Sequence, residues 1–132
     1  MLSQFEFHDS GIGAIEYKNQ RLRILSYNVE DFRSLEERAE GARYLSSLET
    51  IFEGVRDILV DNLACETIEM ESPDGEMYSL DLVDTNQVKM FIYLHWYQPH
   101  RTVPRSIEFR FNVIRVNVIS TVEEFDEDAS AT

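Results

Sequence analysis

Residues 88–97 alternate without a break: Val88, Met90, Ile92, Leu94 and Trp96 fall on even positions, and Lys89, Phe91, Tyr93, His95 and Tyr97 on odd ones. A period of two puts successive side chains on opposite faces of a strand. The even set therefore predicts a buried apolar face, and the odd set an outward aromatic one. Residues 107–113 repeat the pattern, with Ile107, Phe109, Phe111 and Val113 opposite Glu108, Arg110 and Asn112. After Val113 the phase inverts to Ile114, Val116 and Val118, which predicts a β-bulge or bend. Near the start, Phe5 and Phe7 alternate with Gln4, Glu6 and His8. Ile15 and Tyr17 follow Gly11 and Gly13, and Lys18-Asn19-Gln20 turns into a strand over 21–29. Ile68 and Met70, then Ser72-Pro73-Asp74-Gly75, then Tyr78, Leu80 and Leu82 predict a hairpin. In that turn Pro73 fixes φ and Gly75 supplies a positive φ.

The middle of the chain carries helical signals. Ser34 and Glu37 are spaced as a capping box, helix formers fill residues 35–40, and Gly41 is a stop, so a short helix is expected there. Residues 45–63 fit two readings. Leu45, Leu48, Ile51, Phe52, Val55, Ile58, Leu59 and Leu63 recur at helical spacing. The β-branched and aromatic content and the central Gly54 argue for strands instead. The expected fold is mostly β, at most α+β: a single antiparallel, strongly bent sheet, or a half-barrel or sandwich, with one or two short helices. One globular domain is expected over 1–120, with an acidic flexible tail over 121–132.

Charge narrows the function classes. Of 132 residues, 25 are Asp or Glu against 12 Lys or Arg, a net charge of −13. Nucleic-acid binding rests on neutralising phosphates, so direct contact with nucleic acid is not expected. An anionic membrane surface is disfavoured for the same reason, while a basic protein partner is favoured. The charge is also uneven: residues 57–88 hold nine acids and no Lys or Arg, and residues 89–120 hold five bases and Glu108 alone. Cys65 is the single cysteine, which excludes an intrachain disulfide and a thiolate metal cluster. The opening residues lack a basic stretch followed by an apolar one, and no apolar run approaches the ~20 residues of a membrane helix. A reducing, cytoplasmic setting is expected.

Catalytic signatures are absent. Gly11-Ile12-Gly13 lacks the third glycine of a nucleotide loop and sits between strands. His95 and His100 are five apart, which on a strand turns them to opposite faces, so no joint metal site is expected. Asp81 and Asp84, flanked by Leu80, Leu82 and Val83, are the acids placed best for a pKa raised by burial. His8-Asp9 at a strand end reads as an active-site dyad or, with more weight, as a turn cap: Asp9 taking backbone N–H groups and His8 tucked under the next strand. No enzymatic activity, cofactor or metal is expected.

Phe5-x-Phe7-His8-Asp9-Ser10-x-Ile12, then Ile15 and Leu22-x-Ile24, resembles the opening of small bacterial immunity-type domains found beside polymorphic and contact-dependent inhibition toxins. Phe52-Glu53-Gly54-Val55 with Ile58-x-Val60, the Asp74-Gly75 hairpin and the aromatic strand at 107–113 are similar too. The segment from Ser34 to Gly41 departs from that pattern. The resemblance implies a mostly β fold, strands over 48–60, no catalysis, and tight binding of one cognate protein toxin. If that toxin is a nuclease, its basic groove would accept carboxylates where phosphates lie. Glu66, Glu69, Glu71, Asp74, Glu76, Asp81 and Asp84 are then the candidate partner-binding acids, with Glu69 and Glu71 on one strand face opposite Ile68 and Met70. The aromatic set Phe91, Tyr93, His95 and Tyr97 is the second candidate face. The competing functions are an acidic secretion chaperone, which a helix over 45–63 would support, and a small β-domain enzyme or ligand-binding protein with a pocket lined by that aromatic set.

Overall fold

A computed structural model describes residues 2–32 and 42–125. After a 3-10 turn at Leu2–Gln4 come ten strands: β1 (Phe5–Glu6), β2 (Ser10–Lys18), β3 (Arg21–Asp31), β4 (Ala42–Glu53), β5 (Arg56–Val60), β6 (Leu63–Ala64), β7 (Asp74–Asp84), β8 (Gln87–Tyr97), β9 (His100–Arg110) and β10 (Val113–Phe125). All join one antiparallel sheet in the order β10-β4-β3-β2-β7-β8-β9-β5-β6, with β1 beside the end of β3. The path does not close into a barrel. Among the described residues there is no α-helix, so residues 45–63 resolve as strands. The helix expected from Ser34 and Glu37 lies outside the described residues.

Two strands each continue across a break. β4 runs into β5 through Gly54-Val55, and β9 into β10 through Phe111-Asn112. The β4–β10 ladder ends at the pair Glu53–Val113, and the β5–β9 ladder begins at Arg56–Arg110. The same two stretches of chain thus serve opposite ends of the sheet, and the sheet bends back on itself at this corner. Backbone bonds from Asn112 N to Glu53 O (2.8 Å) and from Val55 N to Gln20 O (2.9 Å) fix it. Gly54 holds φ at 70°, and a Cβ there would lie 2.3–3.0 Å from Asn112 side-chain atoms. Arg56 Nη1 donates to Gly54 O (3.1 Å) and to Asn112 Oδ1 (2.8 Å), tying both kinks together. Beneath them the buried Phe52 meets Phe109 and Phe111 edge-on, at centroid distances of 4.9 and 5.2 Å.

The corner explains the ambiguous periodicity of residues 45–63. Leu48, Thr50 and Phe52 point inward with period two. The left-handed residues Gly54 and Asp57 then each reset the phase, so that Val55 and Ile58 also point inward. Buried positions three apart result, and these imitate a helix. Along the partner stretch the inversion falls at Asn112, ahead of the expected place: Phe111 is buried and Val113 is already exposed. A second irregularity lies between Val118 and Ser120, where Ile119 is the extra residue of a bulge in a strand that pairs, among the described residues, with β4 alone. Pairing continues to Phe125, opposite Ala42, so the first residues of the expected tail are strand. Residues 126–132 lie outside the described residues.

The expected hairpin over 67–82 does not form. β7 pairs with β8 along its length and with β2 at Gly75–Met77, which leaves residues 67–71 no ladder to join. Their alternation has another cause: Ile68 is buried and Met70 packs on the core from an irregular segment. Gly75 is strand, not turn, with Met70 Cε 3.1 Å from where a Cβ would stand. Positive φ among the described glycines is confined to Gly54.

On β8 the even set is buried as expected at Val88, Met90, Ile92 and Leu94, while Trp96 is partly buried with the Arg101 guanidinium 4.4 Å above its ring. Leu94→Ala should lower the unfolding free energy by about 2–5 kcal/mol in urea titration; a loss of a few tenths would mean that this face is not core. Gly54→Ala should cost at least ~1 kcal/mol, from the left-handed φ and the Asn112 contact together. The same substitution at the exposed Gly13, with nothing nearer than 3.7 Å, should cost less.

Candidate functional site

The outer face of β8 carries Lys89, Phe91, Tyr93, His95 and Tyr97, and β7 lies beside it with Asp74 opposite His95 and Glu76 opposite Tyr93. Tyr78 is the extra residue of a β7 bulge. Its ring meets Tyr93 edge-on at 6.1 Å and His8 at 5.0 Å. The result is a row of rings running from His8 across β7 to β8. The row continues at the other end, where Asp74 receives two phenol hydroxyls: Tyr97 at 2.7 Å and Tyr27 at 3.2 Å. Tyr27 reaches across from β3 because its cross-strand partner is Gly11. A Cβ on Gly11 would stand 2.0 Å from the Tyr27 ring, so only glycine admits the ring. His95 completes the group, with Nδ1 3.0 Å from Thr102 Oγ1 and Nε2 3.4 Å from Glu76. Asp9, Asn28, Asp74, Glu76 and His95 border a shallow depression of about 230 Å³.

The electrostatics follow from these bonds. The Tyr97 hydroxyl, the Gly75 N–H and the Tyr27 hydroxyl hold the Asp74 carboxyl below the usual carboxylate range. The converse holds for the phenols. Hydrogen bonding to Asp74 raises Tyr97, and burial, then Asp74, raises Tyr27. The Tyr78 carbonyl, with Asp9, Glu6 and Glu76 around it, raises the His8 imidazole, which donates to that carbonyl through Nδ1–H at 3.0 Å. At neutral pH the face therefore presents an ionised carboxylate set between tyrosine rings. Chemically this suits a guanidinium or ammonium group, which gains from both the charge and the ring quadrupoles.

The seven acids expected to form one surface are divided. Glu66 and Glu69 are exposed on the irregular segment before β7. Glu71 lies 3.9 Å from Arg105, which Asp61 holds at 3.0 Å. Asp74 and Glu76 belong to the tyrosine group. Asp81 and Asp84 stand at the far end of β7, roughly 20–30 Å from Asp74 at ~3.3 Å per residue. Both are exposed, and Asp84 accepts the Thr85 N–H at 2.6 Å, so the burial expected for this pair does not occur. Within the aromatic set, Phe91 and Tyr97 are 40% and 61% exposed, Tyr93 and His95 are half-buried, and His95 borders the shallow depression beside Asp74. His8-Asp9 does make a turn, but Ser10 holds it, with its N–H and Oγ both donating to Phe7 O. Asp9 takes φ 64° and its carboxylate meets His8 Nε2 at 3.4 Å.

Tyr27 and Tyr78 were missed by sequence reasoning. A glycine inside a strand pattern, as at Gly11, signals close approach of a neighbour, but nothing in the sequence says which. Comparison with protein-family models, with curated proteins and with solved structures finds no match to this chain. No helix among the described residues is long and apolar enough to cross a membrane.

Asp74→Asn should bring the Tyr97 and Tyr27 ionisations down toward the ordinary phenol value, read by ultraviolet titration of tyrosinate. It should also flatten the acid limb of the stability profile. A carboxyl whose folded pKa is depressed stabilises the fold above its unfolded value and loses that contribution as pH falls through the folded one. Unchanged phenol titration would show that the Asp74–tyrosine bonds do not form in solution.

Proposed function

We propose that this chain is an immunity-type binding protein of the bacterial cytoplasm. It neutralises a basic toxin domain by forming a stoichiometric complex, without catalysis of its own. The observation that carries this reading is the face built on Asp74, where a carboxylate held between Tyr27 and Tyr97 sits beside Glu76, Tyr93 and Tyr78. Exposed aromatic anchors with desolvable charge are what interface hot spots are made of. The net charge of −13 speeds encounter with a basic surface and repels like-charged competitors.

The division of the acids assigns them different work. Asp74 and Glu76 lie among rings that would exclude water once a partner is seated, and removing such a partly buried charge contact costs about 2–5 kcal/mol. Glu66 and Glu69 are outlying charges that act on association rate. A helix over 45–63 would have supported the secretion-chaperone alternative, and those residues form strands β4 and β5 and the start of β6. Of the four residues of the pocket alternative, Phe91 and Tyr97 are exposed and His95 borders the shallow depression beside Asp74.

The test is co-expression with the polypeptide encoded beside this gene, followed by binding kinetics on the purified pair. Asp74→Asn, Glu76→Gln and Tyr97→Ala combined should accelerate dissociation by at least about tenfold and abolish protection. Glu66→Gln with Glu69→Gln should slow association and weaken its salt dependence, with dissociation unchanged. A complex indifferent to the triple variant would remove this face from the interface, and a toxin that kills despite the native chain would remove the function.

A further inference from the structure

β7 has two edges, and β8 occupies one of them throughout. On the other, β2 pairs only at Gly75, Glu76 and Met77. Asp9 N bonds Met77 O at 2.9 Å, His8 Nδ1 meets Tyr78 O at 3.0 Å, and there the pairing stops. From Ser79 to Asp84 this edge has no neighbouring strand among the described residues. Beside it runs an open groove of about 330 Å³, lined by apolar Leu2 and Leu82 and by polar Glu6, His8, Ser79 and Asp81. Leu82 and Val83, where the β7–β8 ladder shifts register, are 47% and 58% exposed.

An unpaired edge beside a groove of mixed apolar and acidic lining is the geometry of strand addition, in which backbone bonds supply affinity and alternate side chains enter the groove. We propose that the free edge of β7, from Ser79 to Asp84, takes up an extended segment of a basic protein partner as an added strand. Apolar side chains of that segment alternate with Lys or Arg. The inference rests on the basic-partner reading above, and adds to it a second contact with a different physical basis.

Charge selects the occupant. Glu6 and Asp81 border the groove, Asp84 lies two residues beyond Leu82 along β7, and no Lys or Arg occurs between residues 57 and 88. The chain's own residues 126–132 are an unsuitable occupant: they carry Asp126, Glu127 and Asp128 and no apolar side chain larger than alanine. The edge spans roughly 20 Å, which matches about six extended residues.

The probe is an acetylated, amidated peptide of about six residues alternating valine and lysine, added to the full chain and followed by residue-resolved amide exchange. Protection of amides within 79–84 is expected. It should be lost with an alternating valine–glutamate peptide, and weakened at least about tenfold by N-methylation of the peptide on its bonding edge. Leu82→Lys, at a half-exposed position where folding is retained, should abolish protection while leaving the Asp74 face intact. No protection within 79–84 overturns the inference. If the lysine peptide perturbs Tyr27, Asp74 and Tyr97 without protecting 79–84, the edge proposal fails and the basic-partner reading stands. Equal protection by the glutamate peptide would overturn the charge selection.

Discussion

The kink shared by Gly54-Val55 and Phe111-Asn112 is the constraint on which the sheet depends. A single antiparallel sheet of this size has two faces and cannot bury one of them without another layer or a sharp bend. Here the bend is made by two neighbouring strands that change direction together, and Asn112 fills the space that a side chain on Gly54 would need. Phe52, Phe109 and Phe111 then pack beneath the bend, joining halves of the sheet that are distant along the path of ladders. A change at one kink must be matched at the other, because Arg56 bonds both.

The outer surface follows from how the strands diverge. β2 accompanies β3 for most of its length but touches β7 briefly, so β7 is left to carry features that a fully paired strand would suppress. Its bulge turns Tyr78 toward His8 and Tyr93, and its first residue, Asp74, lies within reach of tyrosines from two other strands. On the opposite flank, salt bridges from Arg23 to Glu16 and Glu49, with Asn117 bonding Glu49, lace β2, β3, β4 and β10 together. That flank spends its charges on itself, whereas on the β7–β8 side carboxylates and rings face outward together.

The sequence was most legible where strands are regular. β8 and the core half of β9 alternate without interruption, and the residues expected inside are inside, from Val88 to Leu94 and from Ile107 to Phe111. It was least legible where left-handed residues interrupt a strand, since each resets the phase; Gly54 and Asp57 made β4 and β5 look helical. The acidic surface was misread for another reason. Residues 57–88 are neighbours in sequence, but a strand carries its ends far apart, and the side chains that organise Asp74 come from positions 27 and 97. Local pattern reports which face a residue takes. It does not report which distant strand lies alongside.

Ile119 has a bearing on how the protein behaves at high concentration. β10 is a thirteen-residue edge rich in valine and isoleucine, a composition that in a straight strand templates the stacking of further copies into fibres. One inserted residue breaks the regular spacing of its hydrogen-bonding groups at mid-length, and Glu123 and Glu124 charge the end beyond it. Resistance to fibre growth along this edge therefore depends on a local irregularity that contributes nothing to the core.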